Sequence, residues 1–210
     1  MTRRFDLWRP AFILTGVLIL AGGPRHPGGT MVEMLGDPEW TIAHVLMLGG
    51  FVAFALGLIA LRREPTLTPA GRRAGRWALF GAGLQVVEMV LHTLASADHA
   101  NLMAGRATPI LTTHLALAIG AYPVFAATTI LFIVVVTRER AIGSRFIAWL
   151  GVLGALGHGI AAPLTILTPL PWARHLFPLV VLFALWSILA GLWPRRLAHA
   201  SDAAIVQPSS

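Results

Sequence analysis

The sequence predicts an all-α integral membrane bundle of six transmembrane helices with both termini cytoplasmic. Three observations carry that expectation. The 210 residues are 56% hydrophobic and 12% charged, with a mean hydropathy of +0.74, outside the range of soluble globular domains. Six apolar segments approach or exceed the roughly 20 residues that a membrane crossing needs. The arginines fall into alternate connections between those segments.

The segments run at about residues 5–23, 40–61, 75–95, 109–137, 146–162 and 172–193, so residues 1–196 read as one membrane domain. The first is the shortest; its basic flank resembles that of a signal peptide, but no clear cleavage pattern follows and it reads as a retained span. Pro10 suits its opening turn. The fourth is the longest and carries Pro123 near its middle, where a kink or local unwinding is expected. The fifth is expected to stop at Pro163, leaving TILTPLPW as a short apolar connection or re-entrant piece. Residues 197–210 are small and polar enough to read as a disordered cytoplasmic tail.

Orientation follows from charge. Arg3, Arg4 and Arg9 precede the first segment, Arg62, Arg63, Arg72, Arg73 and Arg76 separate the second from the third, Arg138, Arg140 and Arg145 separate the fourth from the fifth, and Arg195 and Arg196 follow the sixth. The alternate connections hold only Arg25, Arg106 and Arg174. By the positive-inside rule the arginine-rich side is cytoplasmic, in a multi-pass protein of the plasma membrane.

Within this frame the third segment stands out. GLQVVEMVLHTLASADH puts Gln85, Glu88 and His92 on one helix face by their spacing of three and four residues. A carboxylate and an imidazole are costly to expose to lipid, so that face is expected to meet other helices. His44, His114 and His158 lie about one turn inside the same outer boundary in their own segments. Four imidazoles from four helices are thus expected at one depth, with Glu88 one turn deeper. The candidate metal ligands are His44, Glu88, His92, His114 and His158, and the four histidines are also the candidate cofactor-binding residues. His26, His99 and His175 share that side, and their participation is left open.

The available chemistry is narrowed by what is missing. There is no lysine, which excludes retinal and pyridoxal Schiff bases, and no cysteine, which excludes thiolate metal sites, iron–sulfur clusters and thioether-linked haem. Imidazole and carboxylate suit copper, iron or zinc better than magnesium. Haem b is the neighbouring expectation, held by two axial histidines, with Gly151, Gly154, Ala155 and Ala162 beside His158 and Ala118 and Ala121 beside His114 leaving room for a flat macrocycle. Arg106, Arg174, Trp40 and Trp172 stand where propionates would emerge. The arrangement resembles the b-type cytochromes of the four-helix membrane class. Such cytochromes commonly hold two haems, one near each membrane face; this chain departs from that pattern, with no histidine in the inner half of a span, so one outer haem is the count expected if haem binds.

The function expected from these residues is haem or transition-metal binding at an outward-facing site, serving electron transfer or small-molecule redox chemistry, with a membrane oxidoreductase as the enzymatic form. The partners are then the lipid bilayer and a redox partner or small-molecule substrate at the outer face. Alternatives from other classes are a proton-coupled or metal-ion transporter using Glu88 and the histidines, and a structural subunit whose polar residues hold helices together. Phosphate-binding glycine loops, the hydrolase serine elbow and HExxH are absent, and nothing points to nucleic acid beyond a basic charge that topology explains.

Overall fold

A computed structural model describes residues 6–65 and 67–194. Among the described residues the chain is all-helical, and five helices are long and apolar enough to cross a membrane. The α-helices are α1 (Trp8–Gly22), α2 (Met31–Gly36), α3 (Glu39–Leu61), α4 (Pro69–Leu94), α5 (His99–Met103), α6 (Pro109–Arg138), α7 (Arg145–Leu167) and α8 (Val180–Leu192). The short helices α2 and α5 pack against each other over one end of the bundle.

The long helices form a closed ring in which α1, α3, α4, α6, α7 and α8 each pack on the next, and α8 returns to α1. Glycines set the close approaches. A Cβ at Gly57 would meet Phe12, one at Gly50 would meet Ile19 and the Thr15 carbonyl, and one at Gly22 would meet Ala43, so α1 runs antiparallel to α3. Gly16 against Ala184 and Gly191 against the Arg9 carbonyl repeat that relation between α1 and α8. The Ser187 hydroxyl donates to the Phe12 carbonyl at 2.7 Å, and the Arg9 guanidinium reaches the Trp193 carbonyl. The ring is filled by Phe12, Phe51, Phe54, Phe125, Phe132, Phe183 and Trp186, none more than 1% exposed. Several of these rings meet edge to face, as with Phe54 on Phe183 at 5.2 Å, while Phe183 stacks on Trp186.

The helices begin and end where side chains satisfy their free backbone groups. Thr68 caps α4, Ser144 caps α7, and Thr30 with Glu33 makes a reciprocal capping box on α2. Thr108, which precedes α6, makes no such bond, and the role passes to the buried Asp98, whose carboxylate accepts the Leu111 N–H at 2.9 Å.

Several expectations are revised. The first segment forms a helix of 15 residues and is not among the five long and apolar enough to cross, although it reaches from the end of α8 to the start of α3. The fifth does not stop at Pro163 but continues to Leu167. Proline's missing N–H and its clash with the carbonyl four residues back are absorbed inside α7, where that residue is Gly159. TILTPLPW is therefore partly helix, and the turn that follows is the 3-10 segment Pro171–Leu179. The fourth segment stays helical through Pro123 without unwinding. The tail from 197 and the arginines at 3, 4, 195 and 196 lie outside the described residues.

Candidate functional site

The polar cluster sits where α3 begins, α4 ends and α6 begins, at what is here termed the histidine end; Arg62, Arg63, Arg72, Arg73, Arg138 and Arg145 mark the arginine end. Its centre is the face foreseen on α4. Gln85 and Glu88 are both 0% exposed. The Gln85 amide donates to Glu88 Oε2 at 2.9 Å, which fixes the carboxylate and leaves Oε1 facing α6.

Two imidazoles close on that oxygen. Oε1 lies 2.7 Å from Nδ1 of His114 and 3.6 Å from Nδ1 of His92. The closer contact lacks hydrogen-bond alignment, since the ring N–H is not aimed at the oxygen, and all three atoms are buried without a hydrogen-bond partner. The carboxylate oxygen is within ion-pair distance of both imidazoles, and the three atoms are also placed to converge on a common cation. Tetrahedral ligands at about 2.0–2.1 Å from zinc stand about 3.3 Å apart, between the two distances observed. An ion there would also offset the cost of a carboxylate buried away from water, which otherwise amounts to several kcal/mol.

The cluster extends outward as a file of rings. His92 lies 4.0 Å from His114 and 4.2 Å from His44 between centroids, and His44 lies 4.8 Å from His26. Trp40 roofs the file: its ring packs on His44 at 4.1 Å and on His92 at 5.1 Å, and its indole N–H donates to the His92 carbonyl at 3.2 Å. His44 Nδ1–H donates to the Trp40 carbonyl at 2.5 Å, and His26 Nδ1–H donates to the Pro27 carbonyl at 2.9 Å. A carbonyl can only accept, so each bond fixes the tautomer and leaves Nε2 with its lone pair. Nε2 of His44 is buried and unpartnered. Two groups of three side chains that could hold a metal ion result, Glu88–His92–His114 and His26–His44–His92, each with donor atoms within 4.8 Å of one another.

His26, whose participation the sequence leaves open, is the member that comes from a loop. GGPRHPGG gives no helical period from which to place it; the chain turns back there through Gly29, whose φ of 115° suits glycine, before α2. Although exposed as a residue, His26 has its ring laid against His44 and Trp40. Desolvation by those neighbours lowers its pKa, while the Pro27 carbonyl works in the opposite direction. His26 is thereby biased to the neutral form that binds metals.

His158 is placed elsewhere. Because α7 continues past Pro163, its imidazole lies among Tyr122 at 4.5 Å, Phe51 at 5.6 Å and Phe125 at 5.9 Å. Those residues are about two turns deeper on their helices than His114 and His44. The structure brings His44, His92 and His114 together, while His158 belongs to neither group, and both its ring nitrogens are buried without partners.

The small residues foreseen as a slot for haem are occupied by neighbouring helices. A Cβ at Gly151 would lie 2.6 Å from Trp186, and Gly154 meets the Phe183 backbone. Arg106, Trp172 and Arg174 are exposed, whereas Trp40 is buried against the histidines. His175 is exposed, and His99 packs beside Gly36 of α2. Met31 and Met34 pack against the small core of Leu35, Trp40, Ala95 and Leu111.

Compared with known proteins, the chain matches no protein-family model, no curated protein and no solved structure.

Proposed function

We propose that this is a multi-pass plasma-membrane protein that holds a transition-metal ion between Glu88, His92 and His114, at the outer end of its helix bundle, for electron transfer or small-molecule redox chemistry. The observation that carries the reading is the convergence of Glu88 Oε1, His92 Nδ1 and His114 Nδ1, three buried donor atoms with no hydrogen-bond partner. In this reading α1 is a sixth span, both termini are cytoplasmic, and the arginine end faces the cytoplasm; the arginine asymmetry supports that orientation.

The donor set suits copper, iron or zinc, of which copper and iron would supply the redox change. An isolated ion fits better than haem b. Neighbouring imidazoles that touch at 4.0 and 4.2 Å leave no gap for a macrocycle between them, and the small-residue faces are filled by helices. A carrier would need a polar route to the arginine end. Along α3 and α6 the path beyond the site meets Phe51, Phe54, Phe125 and Phe132, all essentially buried, which favours chemistry on one side over passage.

The test is elemental analysis and visible absorption of the purified protein. The reading expects copper, iron or zinc near stoichiometric amounts in the native chain, lost in His92→Ala. A colourless sample free of all three metals, and unable to take them up, would sink it; a Soret band would replace the isolated ion with haem.

A further inference from the structure

We infer that His26, His44 and His92 form a second metal position that shares His92 with the buried one, so that the chain binds a pair of transition-metal ions linked by one imidazole. The inference rests on the proposed function and adds to it a second ion and a route of access.

The outer group has the features expected of a histidine metal site. Its three donor atoms lie within 4.8 Å of one another. Two of its rings are locked through Nδ1–H to backbone carbonyls, of Pro27 and Trp40, which is how ligating histidines are commonly oriented. The lock leaves Nε2 of His44 as a buried lone pair with no partner in a 0% exposed residue. Leaving such an atom unsatisfied is costly, and a bound cation removes the cost.

His92 stands between the two groups in both respects. Its ring lies 4.2 Å from His44 on one side and 4.0 Å from His114 on the other. Its Nδ1 faces Glu88, which leaves Nε2 as the atom for the outer group. The nitrogens of an imidazole point in divergent directions, and each offers a lone pair once the ring has lost its N–H proton. Binding the second ion therefore forms one metal–nitrogen bond at His92 and releases one proton to solvent. His26 is the exposed member of the file and the first ligand an arriving ion would meet.

Zinc titration of the full-length, chelator-stripped protein tests the arrangement, with bound metal measured by equilibrium dialysis. The wild type should bind two equivalents, His26→Ala and His44→Gln one each, and His92→Ala neither. Glu88→Gln should retain the outer ion. His26→Ala changes an exposed loop residue, so an unaltered circular-dichroism spectrum and elution profile separate lost ligation from misfolding. One equivalent in the wild type, undiminished in His26→Ala and His44→Gln, would overturn the second position while leaving the buried site intact. Two equivalents retained in His26→Ala would also overturn it, by putting the second ion elsewhere. No binding by a folded wild type would instead remove the proposed function on which the inference stands.

Discussion

Glu88 on α4 and His114 on α6 meet across a helix interface with Oε1 and Nδ1 2.7 Å apart and out of hydrogen-bond alignment. The carboxylate has its other oxygen satisfied by Gln85, so this oxygen is the one left to a cation. Glu88→Gln keeps the shape and removes the charge. In the metal-free protein it should be neutral or stabilising by about 1–3 kcal/mol, because an incompletely compensated buried charge is removed. The rise in melting temperature on adding metal should shrink with the loss of the inner ion. Thermal unfolding in detergent with and without added zinc measures both; an unchanged metal-induced rise would show that Glu88 is no ligand.

His158 makes the opposite case. Its ring lies among Tyr122, Phe51 and Phe125, with neither nitrogen partnered. His158→Phe should leave metal content unchanged and stability neutral or raised by about 1 kcal/mol, since a polar group without partners is exchanged for an apolar ring. Elemental analysis alongside His92→Ala decides it, and metal loss in His158→Phe would assign that residue to the site.

The contrast between these histidines explains what the sequence could tell. Hydropathy and helical period located the long helices, and the spacing of Gln85, Glu88 and His92 identified the central face, because both are local properties of one helix. His44, His92 and His114 were legible because each is close to a segment end that composition marks clearly. His158 was misjudged in depth because Pro163 reads as a stop, whereas the helix passes through it with Gly159 four residues earlier. The part played by His26 stayed open for a different reason: its position depends on a loop folding back over Trp40 and His44, which is a tertiary relation with no period.

Asp98 offers a test of the scaffold alone. Its carboxylate supplies the cap that Thr108 does not, by accepting the Leu111 N–H at 2.9 Å near the helix turn that carries His114. Asp98→Ala should cost about 1–2 kcal/mol, the upper part of the range for lost helix caps. Asp98→Asn, which retains an acceptor oxygen, should cost less. Equal losses in thermal stability for the two variants would argue that charge, rather than the cap, is what matters.

The loop that carries His26 returns to the bundle through the capping box of α2, and that box is sensitive to acid. Glu33 accepts from the Thr30 N–H and hydroxyl, and these bonds lower its pKa from the ordinary value near 4.5. A depressed folded pKa means that the stabilisation is present above the unfolded value and is lost as pH falls through the folded one. Amide protection at the start of α2 should therefore persist through pH 4.5 and weaken below it. Glu33→Gln should flatten that dependence, as hydrogen exchange across the range would report; an identical pH profile in the variant would exclude the box as its cause.

Labelling from outside intact cells settles whether α1 crosses the membrane. The chain has no cysteine, so any introduced thiol is the only one. Ala107 and Ala141 are exposed residues beyond opposite ends of α6, and Leu7, 65% exposed, lies at the start of α1. If α1 is a span and the arginine end is cytoplasmic, a membrane-impermeant maleimide should label Ala107→Cys and spare both Ala141→Cys and Leu7→Cys until the cells are opened. The length of α1 alone falls short, since its 15 residues rise about 22 Å against a hydrocarbon core of about 30 Å. Its packing argues the other way: Arg9 reaches the Trp193 carbonyl at one end, and Gly22 meets Ala43 at the other, one residue from His44. α1 therefore runs between the arginine and histidine ends, and labelling of Leu7→Cys in intact cells would require a different placement of the bundle in the membrane.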